Sequence, residues 1–103
     1  MPLYWISFRL ADERVGGRTY DQRLKDLEKT IDGLSEHYWN ETSFFYVIES
    51  AKTTAEVATA LRAPIAPEAD LVLMRRLDGP EGYLIGRYKD DEIPGMRAYL
   101  ERL

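Results

Sequence analysis

The chain has 103 residues, 45% hydrophobic and 31% charged, with 14 Lys+Arg against 18 Asp+Glu, one His and no Cys. This is the size of one globular domain with a modest core, and the lack of Cys removes disulfides, thiolate metal sites and Cys nucleophiles together. The net charge of −4 counts against nonspecific wrapping by polyanions; no apolar run approaches the roughly 20 residues that span a bilayer, and the start lacks a signal peptide's basic region and cleavage site, so a cytoplasmic protein off the membrane is expected.

Leu3 to Leu10 is dense in aromatic and branched residues and reads as a first strand, running into the polar stretch Ala11 to Arg18. Thr19-Tyr20-Asp21-Gln22 is a capping box, in which the Thr19 hydroxyl accepts from the amide three residues on and Gln22 reaches back. Tyr20, Leu24, Leu27, Ile31 and Leu34 then make one apolar stripe of an amphipathic helix, ended by Gly33 and Ser35. His37 to Ser50 is rich in branched and aromatic residues around a weak middle at Asn40-Glu41, which predicts a hairpin or one long bulged strand. A second capping box, Thr53 to Glu56, opens a short helix with Val57, Ala60 and Leu61 inward, stopped by Pro64 and Pro67. Leu71 to Leu77 and Tyr83 to Tyr88 are predicted strands joined by the loop Asp78-Gly79-Pro80-Glu81-Gly82, whose Gly and Pro suit a turn. Met96, Leu100 and Leu103 keep helical spacing near the end, giving a short helix or an added strand.

This order predicts an α+β fold, the ferredoxin-like βαββαβ arrangement with an extra C-terminal strand or short helix, as one domain over 1–103. Two helices cover only one face of such a sheet, and alternation then leaves the other face polar. The sequence departs from that rule, because Phe44 to Ile48 is apolar without a break and the first strand has apolar residues at both parities. A symmetric homodimer is the leading remedy, with Tyr4, Ile6, Phe8, Phe44, Tyr46 and Ile48 as candidate interface residues. The other remedy is a terminal helix folded over the second face, and the sequence leaves open which face is covered.

An aromatic first strand, an amphipathic helix, the segment His37 to Val47, a short helix opened by Thr53-Thr54-Ala55-Glu56, and Ala69-Asp70-Leu71-Val72-Leu73-Met74 together resemble the small ferredoxin-like CRISPR-associated endonuclease superfamily. The likeness runs over roughly residues 3 to 88, is closest to its SinR-like branch and is more distant from the VapD-type toxins. It implies a homodimer with the sheets facing inward. In the nuclease members an Asp in a triplet ending the first strand holds a divalent metal across the dimer. The matching triplet here is Phe8-Arg9-Leu10, and Arg offers no lone pair to Mg²⁺ or Mn²⁺ and repels the ion. The resemblance therefore implies a binding or regulatory module, with a possible protein partner in a toxin–antitoxin or defence setting, and no cofactor.

The enzymatic alternative is a metal-dependent endoribonuclease in which Asp12, three residues on from Arg9, takes over as ligand for Mg²⁺ or Mn²⁺. Ser43 matches a Ser recurring in the family's second strand motif. As a nucleophile it needs a base, and only His37 offers imidazole; on a hairpin or across a dimer axis the two can meet. Val15-Gly16-Gly17-Arg18-Thr19 precedes a helix but lacks phosphate-loop spacing. Arg9, Arg75 and Arg87, with Arg76, Arg14 and Arg18, form a second alternative, a patch contacting nucleic-acid phosphates despite the acidic total. Ion pairs with Asp70 or Asp90-Asp91-Glu92 are the ordinary use of such residues.

Overall fold

In a computed structural model, which describes residues 1–77, 82–87 and 101–103, the elements in chain order are β1 (Leu3–Arg9), α1 (Tyr20–Leu34), β2 (His37–Trp39), β3 (Phe45–Glu49), α2 (Thr54–Arg62), β4 (Leu71–Arg76), β5 (Gly82–Gly86) and β6 (Glu101–Arg102). Both capping boxes form. The Thr19 hydroxyl accepts from the Gln22 amide at 3.2 Å while Gln22 Oε1 accepts from the Thr19 amide at 2.8 Å. Thr53 and Glu56 repeat the exchange at 3.2 and 2.9 Å, and this bond from the Thr53 backbone holds the Glu56 carboxyl below its usual pKa. Each box satisfies two amides that a helix start leaves without partners.

The strands form one sheet in the order β2-β3-β1-β4-β5-β6, antiparallel throughout except for the parallel pair β5–β6. β1 is central, between β3 and β4. Two βαβ crossovers are interleaved: α1 carries the chain from β1 past β3 to β2, and α2 carries it from β3 past β1 to β4. The architecture is α+β, an antiparallel sheet with two helices, extended past β4 by β5 and β6.

Segment 37–50 is a hairpin, with Tyr38 opposite Ile48 and Trp39 opposite Val47. Its turn closes at Phe44, whose φ of 57° lies in the left-handed region, a conformation costing a non-glycine residue roughly 1–2 kcal/mol. Two contacts hold it there. The Phe44 carbonyl accepts from the Phe8 amide at 3.1 Å, and its ring meets the Phe8 ring edge-on at 5.6 Å. Gly16 and Gly17, with φ of 57° and 79°, make a two-residue turn clamped by reciprocal Val15 and Arg18 backbone bonds of 2.9 and 3.0 Å. The loop before α1 is thus a tight turn of the kind glycine permits.

The core lies between the helices and one sheet face. Leu27 and Ile31 of α1 and Val57, Ala58 and Leu61 of α2 pack over Tyr4, Ile6, Phe8, Ile48, Val72, Met74 and Ile85, all buried. The strand expected through Leu10 ends at Arg9, that expected through Leu77 ends at Arg76, and the last begins at Gly82. Tyr88, the 78–81 part of the expected turn, and Met96 and Leu100 of the expected helix lie outside the described residues. At the end, residues 101–102 are strand, and the Leu103 amide bonds the Leu84 carbonyl at 3.2 Å. Among the described residues no helix is long and apolar enough to cross a membrane.

Candidate interaction face

Alternation assigns every strand residue to a face. Tyr4, Ile6 and Phe8, with Tyr46 and Ile48, point to the helices and are buried within the single chain. These are five of the six residues expected at a dimer interface, and a second copy reaching them would have to displace both helices. The sixth, Phe44, is 49% exposed in the hairpin turn. The face left open is the opposite one: Leu3, Trp5, Ser7 and Arg9 of β1, Phe45, Val47 and Glu49 of β3, Trp39 of β2, and Leu71, Leu73 and Arg75 of β4.

Register lays these residues out in rows. One row reads Trp39, Val47, Trp5, Arg75, and the next Phe45, Ser7, Leu73, Leu84, of which Leu84 is buried, so the open part of the face stops short of β5. The Trp5 and Phe45 rings stack with centroids 6.2 Å apart, and Trp39 meets Phe45 edge-on at 6.3 Å. Trp39 is 43% and Leu3 41% exposed, while Trp5, Phe45, Val47, Leu71 and Leu73 are half-buried. Among the described residues, Arg9 stands at one end of β1 and Glu49 and His37 at the other end of the face, while Arg75 stands within it, beside Trp5 on β4. A contiguous apolar surface with a polar rim is the make-up of an interaction site.

The remaining candidate residues are scattered. Asp12 is exposed in the loop after β1, beside Glu13, Arg14 and Asp21 at a shallow surface groove. Among the described residues of one chain no three His, Asp or Glu side chains are grouped so as to hold a metal ion. His37 lies opposite Glu49 at one end of the hairpin and Ser43 in the turn at the other, so the hairpin separates the pair. Arg9 and Arg87 come together, Arg9 Nη2 donating to the Arg87 carbonyl at 3.5 Å. Arg75 stands four residues along β4 from Leu71, the neighbour of Arg9, which is about 13 Å. Arg76 has the other parity, opposite Tyr4. Arg14 donates to the Gly17 carbonyl at 3.5 Å, and Arg18 to the Pro64 and Ile65 carbonyls at 2.9 and 3.3 Å with Asp26 at 3.6 Å. The six arginines therefore do not form one phosphate-binding patch.

One further constellation joins two buried side chains. Arg23 of α1 and Asp70, just before β4, are both fully buried and joined by Nε–Oδ2 at 3.0 Å and Nη2–Oδ1 at 3.3 Å. Arg23 also donates to the carbonyls of Glu13, Arg18 and Ala11 at 2.9, 3.0 and 2.7 Å, which uses all five guanidinium N–H groups. Asp70 accepts from the Ala11 and Ala66 amides at 2.9 and 2.8 Å. A cation and an anion so completely bonded are removed from solvent and from any ligand, and they tie α1, the loop after β1 and the approach to β4 together. The signal was available: Arg23 is three residues after Tyr20 and four before Leu27, inside the apolar stripe. Across the molecule, burial and the nearby Glu28 raise the Tyr46 phenol above its usual pKa, against the opposing hydrogen bond with Asn40, so it is protonated at neutral pH.

No protein-family model matches this chain, and no curated protein matches it in sequence.

Proposed function

We propose that the chain is a homodimeric ferredoxin-like binding or regulatory module of the SinR-like kind, cytoplasmic, acting through a protein partner in a toxin–antitoxin or defence setting and lacking metal-dependent nuclease activity. The observation that carries this reading is the sheet face turned from the helices, where Trp5, Phe45, Trp39, Val47 and Leu73 form an apolar cluster flanked by Arg75. The element order βαββαβ, with β1 between β3 and β4, supports the ferredoxin-like assignment. Arg9 supports the loss of nuclease chemistry. It is an exposed cation at the end of β1, at the position where the resemblance places the metal-binding Asp.

Two measurements on the purified protein test the reading. Light scattering at high micromolar concentration is expected to give twice the 11.9 kDa chain mass, and a monomer mass removes the dimer. Incubation with RNA or DNA and Mg²⁺ or Mn²⁺ is expected to leave the nucleic acid intact. Cleavage that Asp12→Ala abolishes overturns the binding-module assignment in favour of the nuclease.

A further inference from the structure

Between α1 and the β2–β3 hairpin, on the helix side of the sheet, lies a groove of about 660 Å³, the volume of a small-molecule site. Sheet parity sets its floor. Tyr38 stands opposite Ile48 and so faces the helices, and the next step of the register brings Asn40 beside Tyr46. Helix periodicity sets its wall, because Lys25, Glu28, Lys29 and Asp32 recur a turn apart along one side of α1. Tyr46 is buried, and its ring lies 6.0 Å from that of Tyr38, which is 53% exposed. Glu28 and Asn40 both reach the Tyr46 phenol. Asp26, at the same groove, is taken by Arg18 at 3.6 Å, whereas among the described residues Lys25, Glu28, Lys29 and Asp32 form no ion pair.

Each part of the groove asks something of a ligand. The exposed Tyr38 ring offers a stacking platform to a flat group, the carboxylates accept and so call for donors, and two ammoniums a turn apart call for an anion. We infer that the groove binds a guanine mononucleotide, with the base stacked on Tyr38, its donor edge toward Glu28 and its phosphate between Lys25 and Lys29. Guanine sets two donors side by side on its Watson–Crick edge, the N1–H and the exocyclic amine, and one carboxylate accepts both. Adenine turns an unprotonated ring nitrogen toward the same carboxylate, lone pair against lone pair. An arginine side chain from a peptide also stacks and donates as a fork, but it brings no anion and meets both lysines as like charges. A long polynucleotide is repelled by the net charge of −4. The groove is on the opposite side of the sheet from the Trp5–Phe45 cluster, so the inference goes beyond the binding-module reading and does not depend on it.

The test is calorimetric titration of the purified chain with guanosine monophosphate, adenosine monophosphate and guanosine. Guanosine monophosphate is expected to bind, with adenosine monophosphate and guanosine each weaker by about tenfold or more. Glu28→Gln is expected to reduce the preference for guanine over adenine about tenfold, and Tyr38→Ala to weaken both nucleotides about tenfold. Lys25→Gln with Lys29→Gln is expected to bring guanosine monophosphate down to the level of guanosine. These positions are exposed, circular dichroism shows whether each variant is folded, and the comparison of ligands on the native chain needs no variant. No binding of guanosine monophosphate at millimolar concentration, equal binding of the two nucleotides, or a guanine preference that Glu28→Gln leaves intact overturns the inference. Binding of N-acetylarginine amide or of an RNA oligomer by a chain that does not bind the mononucleotide also overturns it, and gives the groove to a basic peptide or to RNA.

Discussion

Arg23 and Arg9 are the same side chain in opposite circumstances. Arg23 is withdrawn from water with every donor used, two of them on Asp70. Arg9 is exposed at the end of a strand with one long bond to a carbonyl. A buried cation stays charged only where the protein supplies what water would have supplied, so its partners are fixed and its role is internal. An exposed arginine keeps its hydration and is free to exchange it for an external carboxylate. The lesson is that the conspicuous ion pair of this molecule belongs to its folding, and the inconspicuous arginine belongs to its surface chemistry.

The contrast breaks most easily at its buried member. Asp70→Ala leaves Arg23 charged in the interior and frees the Ala11 and Ala66 amides, an expected loss of about 3–5 kcal/mol of unfolding free energy in urea titration. Domains of this size are typically stable by about 5–15 kcal/mol. A loss under about 1 kcal/mol would show that water reaches Arg23 and erase the distinction. Gly86→Ala approaches the same cluster from β5: φ there is +101°, and a Cβ collides with the Asp70 backbone carbonyl. An expected loss of about 2–3 kcal/mol checks how rigidly that backbone is held. Arg9→Ala is the smallest effect, an expected change under about 0.5 kcal/mol when the unfolding free energy is extrapolated to low protein concentration. A larger change would give Arg9 a structural role and weaken its assignment to the surface.

Much of the scaffold was legible because short-range chemistry sets it. Each capping box is spelled in four residues, and the stripe from Tyr20 to Leu34 fixes which side of α1 is buried. The hairpin was legible as one of two options. Arg23 was passed over because a charged residue in an apolar stripe reads as an interruption, and its partner Asp70 is 47 residues away in sequence. The choice of sheet face was carried by polar residues. Ser7 and Arg9 share parity with Leu3 and Trp5, and Arg75 with Leu71 and Leu73, marking the side turned from the helices. Weighing ring size and branching alone points to the even-numbered residues of β1, which the helices cover. Phe44 lay beyond local rules, since a left-handed phenylalanine is held by the distant Phe8.

The central position of β1 has a consequence in time. Tyr4 pairs with Ile48 on one side and Arg76 on the other, both later in the chain. β1 precedes both of its neighbours in the chain and gains the second only with β4, and loop closure on that scale must precede any reward from pairing. Until β4 exists, Ile6 and Phe8 have only one flanking strand, and the nascent chain carries an unpaired apolar edge of the kind that associates wrongly. The order in which the strands are made therefore places the slow, aggregation-sensitive step of folding late, after residue 76 has been added.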